Sequence, residues 1–159
     1  MIEIAELSPH SAEARLCLAA YFGELATRFA LGFHAEAALA EPMDDLTAPH
    51  GWFLVARVHG QAVGCVGLRR IDAQTAEIKR MWTSPAARGQ GVARAMLQRV
   101  EEIARQAGCL RVQLDTNGAL TEAHALYRRA GFSEIARYND NPYAELWFAK
   151  DVPPIARDG

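Results

Sequence analysis

The sequence predicts a mixed α+β fold, in which helices cover one central sheet that contains a parallel pair of strands. A short strand opens the chain, because residues alternate in polarity from Ile2 to Ala5. The helix that follows carries an apolar stripe of the spacing that faces a sheet. Further along, the residue pattern predicts a strand over 76–83, a helix over 93–107 and a strand over 110–115. This succession is typical of a right-handed parallel crossover.

Turn residues and periodicity predict the other elements. Ser11 is expected to cap the first long helix and Thr121 the last one, and Pro42 ends a short second helix. Gly64 and Gly67 weaken their strand, so we expect a bulge or a close backbone neighbour there. The predicted elements are strand 2–5, helices 11–29 and 34–39, strands 52–58, 62–69 and 76–83, helix 93–107, strand 110–115, helix 121–131, and strands 133–137 and 144–150. Their order is β-α-α-β-β-β-α-β-α-β-β.

Length and composition restrict the class of protein. With 159 residues, half of them hydrophobic, we expect one domain over 1–150 and a loose tail at 151–159. The net charge of −2 argues against a nucleic-acid partner and against an anionic membrane surface. The sequence has no apolar run of about 18 residues and no signal segment, which predicts a cytoplasmic location. The three cysteines lack metal-like spacing, so we expect reduced, mostly buried thiols and no metal.

The most informative stretch joins strand 76–83 to the helix after it. Its centre is Arg88-Gly-Gln-Gly-Val-Ala93, in which Gly89 and Gly91 remove two side chains where a ligand would approach the backbone. The first amides of the following helix have no intrahelical partner and carry the positive end of its dipole. Arg88 adds a fixed positive charge. These features together predict a phosphate-binding loop.

Two familiar phosphate loops do not fit this segment. A Walker loop needs Gly-Lys-Ser or Gly-Lys-Thr, which the chain lacks, and a dinucleotide fingerprint needs a small residue where Arg94 stands. The pattern that fits is Arg-x-x-Gly-x-Ala, formed by Arg88, Gly91 and Ala93. With the preceding strand, it resembles the acetyl-CoA pyrophosphate loop of the GNAT superfamily of N-acetyltransferases.

A second segment strengthens the resemblance. Leu114-Asp-Thr-Asn117, followed by the helical stretch Glu122–Phe132, is similar to the other GNAT signature, on the far side of CoA. The two signatures together cover 76–132, and the predicted element order agrees with the same fold. Many members have an Asn where this chain has Leu120. Asn117 is therefore the candidate for the pantetheine contact that such an Asn makes.

The resemblance implies how the cosubstrate would bind. In this fold the two central parallel strands splay apart, and the acyl-pantetheine arm lies in the gap between them. The arm would pair with backbone groups of Met81, Trp82 and Thr83. The diphosphate would lie beside Arg88, on a run of backbone amides. These amides belong to Gly89, Gln90, Gly91, Val92 and Ala93.

Two residues are candidates for the chemistry. An amine must lose its proton before it can attack a thioester, and Glu77 matches the position of a catalytic Glu in several GNAT members. A free Glu has a pKa of about 4.3, so burial or a water relay would be needed, and an ordinary ion-paired carboxylate is the alternative. His124 is a second candidate base. Tyr127 matches the family's phenol that gives a proton to, or stabilises, the departing CoA thiolate.

The resulting hypothesis is an acetyl-CoA-dependent transferase acting on a small-molecule or peptide amine by direct attack, without a metal. An acyl-CoA-binding regulatory domain, a different acyl donor and a hydroxyl acceptor remain alternatives, and a homodimer stays open. The sequence does not identify the acceptor. An acidic segment with no basic residue is either solvated surface or a rim that attracts a cationic amine. Its members are Glu36, Glu41, Asp44 and Asp45.

Overall fold

The structure is a computed structural model that describes residues 1–29, 33–40 and 43–155. Its strands are β1 Ile2–Glu6, β2 Gly51–Val58, β3 Gln61–Arg70, β4 Thr75–Thr83, β5 Arg111–Thr116, β6 Ser133–Ile135 and β7 Leu146–Asp151. Its helices are α1 Ala12–Arg28, α2 Ala35–Ala40, α3 Val92–Gln106 and α4 Thr121–Arg129, with single 3₁₀ turns at Asp44–Leu46 and Pro85–Ala87. The strands form one sheet in the order β1-β2-β3-β4-β5-β7-β6. The predicted fold class and element order are confirmed.

The chain divides into two compact units. One consists of Met1–Arg69 and Lys79–Met96, and the other of Arg70–Ile78 and the chain from Leu97 onward. Both β4 and α3 therefore contribute residues to each unit. The expected single domain over 1–150 stays a prediction.

In the first unit, α1 lies against β2 and is fixed at its start by a side-chain cap. The Ser11 hydroxyl accepts a hydrogen bond from the amide of Ala14 at 3.3 Å, as predicted. The predicted stripe supplies the buried face of the helix, with Leu18, Phe22 and Leu25 almost inaccessible to solvent. Burial of these apolar side chains stabilises the packing of the helix.

The pairing of β2 with β3 contains both irregularities that the glycines predicted. The antiparallel register shifts between Ala56 and Arg57, so that Val63 is the extra residue of a β-bulge. Its carbonyl accepts a hydrogen bond from the amide of Ser84 at 2.7 Å. A Cβ on Gly64 would lie 2.8 Å from the carbonyl oxygen of Trp82, which is closer than real Cβ atoms approach. Only glycine fits this position without a shift of backbone.

In the second unit, the start of β4 pairs with β5 in parallel, as predicted for these two strands. The parallel register runs from Thr75 opposite Arg111 to Glu77 opposite Gln113. On its other side, β5 pairs along its whole length with antiparallel β7, and β7 pairs with β6. The last hairpin is shorter than predicted, because side-chain oxygens of Asn residues accept backbone amides between the strands and fold that segment into turns.

The predicted Thr121 cap of α4 was wrong. Thr121 is already the first helical residue, and Leu120 occupies the cap position without a side-chain hydrogen bond. The carbonyl of Leu120 accepts the amides of Ala123 and His124 at 3.1 and 3.3 Å. The helix therefore starts from a backbone turn, one residue earlier than the Thr signal suggested.

The chain after β7 is held in place up to Pro153. Val152 is buried, and its amide donates to the carbonyl of Leu110 at 2.9 Å. Arg105 donates to the carbonyl of Pro153 at 2.7 Å. The predicted burial of the thiols is confirmed, since Cys17, Cys65 and Cys109 are all buried and free. Across the described ranges, no helix combines the length and hydrophobicity needed to cross a bilayer.

The fit around Gly64 generates a stability prediction. We expect Gly64→Ala to lower the free energy of unfolding by about 1–3 kcal/mol, because the added methyl group overlaps a backbone carbonyl. Gly23→Ala in α1 is the matched control. A Cβ there meets nothing within 4 Å, so this change should stabilise by about 0.5–1 kcal/mol. Urea denaturation measures both, and a Gly64→Ala variant as stable as the wild type would contradict the prediction.

Candidate active site

The glycine-rich loop has the geometry that its sequence predicted. After β4 ends at Thr83, the Pro85–Ala87 turn leads to Gly89 and Gly91, whose φ angles are +81° and +84°. Residues other than glycine rarely adopt such backbone angles. A Cβ on either glycine would meet no atom within 4 Å, so the space beside both backbones is open. The loop thus exposes its backbone to a ligand.

Helix α3 begins directly after this loop, at Val92. Its first intrahelical bond is donated by Ala95 to the carbonyl of Gly91 at 3.0 Å. The amides before Ala95 precede that bond and are directed to the N-terminal end of the helix, where its dipole is positive. Gln90 is exposed, and its side-chain amide donates to the carbonyl of Ala86 at 3.4 Å. The loop and the helix start together can bind an anion.

Arg88, the predicted diphosphate ligand, is held by a residue that the sequence did not indicate. Its guanidinium donates to Oε1 of Glu24 in α1 at 2.5 Å. The Arg88 side chain remains 37% exposed. Glu24 therefore orients the cation, and it also places a negative charge next to the candidate anion site. The two residues are 64 positions apart, so no local pattern could reveal their pairing.

The end of β4 carries the three residues expected to bind the pantetheine arm, and Met81, Trp82 and Thr83 are all half-buried. Directly before them, Arg80 has a φ of +53°, which interrupts the extended backbone of the strand. The Arg80 carbonyl accepts a hydrogen bond from the Cys65 thiol at 3.4 Å. Among the described residues, the buried indole N–H of Trp82 has no hydrogen-bond partner.

In the second unit, Glu77 is fully buried on β4, opposite Gln113 of β5. The phenol of Tyr138 donates a hydrogen bond to its Oε2 at 2.6 Å. A buried carboxylate is costly unless donors compensate for the lost water, and this contact supplies one. Tyr138 lies in the segment between β6 and β7, 61 positions away, and no sequence signal pointed to it.

Tyr127, the predicted partner of the thiolate, is buried on α4. Its ring packs against those of Phe132 and Phe148, with 5.9 Å between centroids in each case. Burial raises the pKa of Tyr127 well above that of a free phenol, and the negative charge of Asp115 raises it further. The phenol is therefore protonated at neutral pH and can only act as a hydrogen-bond donor toward an anion.

Asn117, the predicted pantetheine contact, uses its side chain within the protein. Its Nδ2 donates to the carbonyl of Tyr143 at 2.7 Å, and its Oδ1 accepts the amide of Ala119 at 2.9 Å. The alternative base His124 lies nearby, with its Nε2 at 2.8 Å from the backbone oxygen of Asn117. Since a carbonyl can only accept, this nitrogen carries the proton, and Nδ1 is the basic nitrogen of the neutral ring.

Two carboxylates of the acidic segment have partners that the local sequence did not show. Asp44 pairs with His10 at 3.2 Å, and Asp45 pairs with Arg69 at 3.2 Å. Both partners come from distant positions: Arg69 offsets the charge of Asp45, and His10 contributes a hydrogen bond to Asp44. Glu41 and the side chain of Glu36 lie outside the described residues. In 1–29, 33–40 and 43–155, no three or more His, Cys, Asp or Glu side chains are grouped so as to hold a metal.

Comparison with known proteins defines the class. The model of the acetyltransferase (GNAT) family matches residues 19–132, a range that contains both the glycine-rich loop and Tyr127. The match covers more than half of the chain. This protein belongs to the GNAT family of acetyltransferases.

Individual relatives agree with this assignment. Over 94 residues the chain is 40% identical to an IAA acetyltransferase of Azospirillum brasilense, covering 58% of this chain and 61% of that protein. A GNAT-family acetyltransferase from Staphylococcus aureus superposes with a TM-score of 0.78 at 19% identity, over 96% of this chain and all of that one. A GNAT-family acetyltransferase from Elizabethkingia anophelis was solved with acetyl-CoA bound. It superposes with a TM-score of 0.66 at 18% identity, over 94% of this chain and 97% of that one. The solved structures support the fold.

The Arg88–Glu24 contact generates a binding prediction. Glu24→Gln removes a negative charge beside the loop and frees the guanidinium, so we expect CoA to bind roughly 2- to 5-fold more tightly. Calorimetric titration at low ionic strength measures the change, and added salt should reduce it. Glu24→Asp, which keeps the charge, is the control. Weaker binding by Glu24→Gln would show instead that Glu24 mainly holds Arg88 in its binding orientation.

Proposed function

We propose that this protein transfers the acetyl group of acetyl-CoA to a primary amine, by direct attack within a ternary complex. The observation that carries the proposal is the open, glycine-lined loop at the start of α3, with Arg88 beside it. Membership of the GNAT family supports acetyl transfer as the reaction. The Elizabethkingia anophelis protein of similar fold, which binds acetyl-CoA, supports acetyl-CoA as the donor.

We assign the recognition of the donor mainly to backbone groups. The diphosphate is bound by amides of the loop and the helix start, which supply donors and a positive dipole without side-chain entropy. Arg88 neutralises part of its charge. Backbone groups of Met81, Trp82 and Thr83 in β4 bind the pantetheine arm, and Asn117 is our candidate for a further contact with it.

The transfer requires a neutral amine nitrogen, and Glu77 is our candidate for the group that accepts its proton. The nitrogen lone pair attacks the thioester carbonyl carbon, a C–N bond forms, and the C–S bond then breaks to release the CoA thiolate. The second proton that the nitrogen loses as the amide forms passes to water. Because Glu77 is buried, proton transfer runs through a water molecule or after a local rearrangement. The products are an N-acetylated amine and CoA.

Tyr127 is our candidate for stabilising the departing thiolate. A thiol has a pKa of about 8.5, whereas burial and Asp115 raise the pKa of Tyr127 above that of a free phenol. Full proton transfer from this phenol to the thiolate is therefore uphill. A hydrogen bond from the neutral phenol to the sulfur avoids this cost and still lowers the energy of the negative charge. The thiolate then takes its proton from water.

An amine panel tests the reaction directly. The protein is incubated with acetyl-CoA and one amine at a time, and free thiol release is followed together with the mass of the acetylated product. We expect release that depends on at least one amine. CoA binding without any turnover across the panel would favour the regulatory, acyl-CoA-binding alternative.

A charge placed in the loop tests where the donor binds. We expect Gly91→Glu to weaken CoA binding by at least about 10-fold, since its carboxylate lies beside the bound diphosphate. Gly91→Ala is the matched control, because it imposes the same unfavourable φ without adding charge. Isothermal titration with CoA compares both variants with the wild type. Equal affinity of a folded Gly91→Glu protein would remove the loop from the proposal.

Deletion of one hydroxyl tests the role of Tyr127. We expect Tyr127→Phe to reduce kcat roughly 10²-fold while the Kd for CoA changes little, because the phenol acts only once the thiolate develops. The packing against Phe132 and Phe148 is kept by the Phe ring. Steady-state kinetics and calorimetry separate the two effects. An unchanged kcat in the folded variant would limit Tyr127 to packing.

A further inference from the structure

We propose that Tyr138 is a positioning residue for acetyl transfer, which acts by holding the carboxylate of Glu77. This inference rests on the proposed function, since it assigns Glu77 the role of proton acceptor. It adds a residue outside both of the signatures by which the sequence resembles the family, which cover 76–132.

The direct observation is a short hydrogen bond to a buried charge. Glu77 is fully buried, and the O–H of Tyr138 lies 2.6 Å from its Oε2. A phenol that donates to a carboxylate forms a charge-assisted bond, which is stronger than one between neutral groups. The phenol occupies one lone pair of Oε2 and restricts rotation of the carboxyl group. Tyr138 therefore sets the orientation of the group that is to accept the proton of the amine.

The backbone on both sides of Tyr138 is fixed by Asn139. The Nδ2 of Asn139 donates to Oδ2 of Asp115 on β5 at 2.6 Å, and its Oδ1 accepts the indole N–H of Trp147 on β7 at 3.0 Å. On the other side, Arg137 donates to the carbonyl of Asn139 at 2.8 Å. One amide side chain thus links the segment to two neighbouring strands. This linkage holds the phenol against Glu77.

The far end of the same segment is attached to the end of β5. The carbonyl of Tyr143 accepts the side-chain amide of Asn117 at 2.7 Å. Glu145 donates its amide to the carbonyl of Thr116 at 2.9 Å, and its carboxylate accepts the amide of Gly118 at 3.0 Å. The segment between β6 and β7 is therefore anchored along its length, and it holds the Tyr138 side chain against Glu77.

A positioning role predicts a specific kinetic signature. Loss of the phenol leaves the donor site intact but removes one constraint on the carboxylate. We expect Tyr138→Phe to lower kcat roughly 10-fold, with little change in the Kd for CoA or in the KM of the amine. Glu77→Gln, which removes the base itself, should lower kcat by roughly 10²-fold or more.

The decisive experiment is a double-mutant cycle on kcat, using the best amine of the panel. If Tyr138 acts through Glu77, the double variant Tyr138→Phe with Glu77→Gln should be no slower than Glu77→Gln alone. Tyr143→Phe removes another phenol from the same segment and serves as the matched control. Circular dichroism and CoA titration establish that each variant is folded.

The outcomes separate this inference from the function on which it rests. Independent, multiplicative losses in the cycle, a wild-type kcat in Tyr138→Phe, or an equal loss in Tyr143→Phe would each overturn the role of Tyr138 alone. A normal kcat in Glu77→Gln removes the proton acceptor and the positioning role together, although acetyl transfer stands. A wild-type protein that acetylates no amine overturns the proposed function itself.

Discussion

The burial of the Glu77 carboxylate is the constraint around which the second unit is built. A carboxylate without solvent is stable only when hydrogen-bond donors replace the water that it has lost. Tyr138 supplies such a donor from the segment between β6 and β7. The segment must then itself be fixed, and Asn139 and Asn117 fix it to β5 and β7. The donor to Glu77 is thus held by an anchored loop.

The candidate anion site of the first unit follows a different principle. Its donors are backbone amides, and their positions depend on two glycines with positive φ and on the start of α3. Side chains modify this site but do not create it. Arg88 adds charge, and Glu24 holds Arg88 while opposing the binding of an anion. Such a site can be recognised from sequence, because local backbone conformation is encoded by local residues.

This difference explains which features the sequence could predict. The element order, the parallel pairing of β4 with β5 and the close approach at Gly64 follow from periodicity and from glycines, and the structure confirms all three. The partners Glu24 and Tyr138 could not be predicted, since they lie 64 and 61 positions from the residues that they contact. The predicted cap at Thr121 was wrong for a local reason. Leu120 occupies the cap position, and its carbonyl accepts the amides of Ala123 and His124, so Thr121 already lies inside the helix.

The two tyrosines of the second unit illustrate how burial decides what a phenol can do. Burial and Asp115 raise the pKa of Tyr127, which makes it a weak acid but keeps it a permanent donor at neutral pH. A permanent donor is suited to an anion that exists only briefly, because it needs no change of protonation when the thiolate forms. Tyr138 donates to the carboxyl group of Glu77, a partner that is already in place in the resting protein. In the proposed mechanism the same functional group thus serves a carboxylate at one position and a transient thiolate at the other, and the tertiary environment distinguishes the two roles.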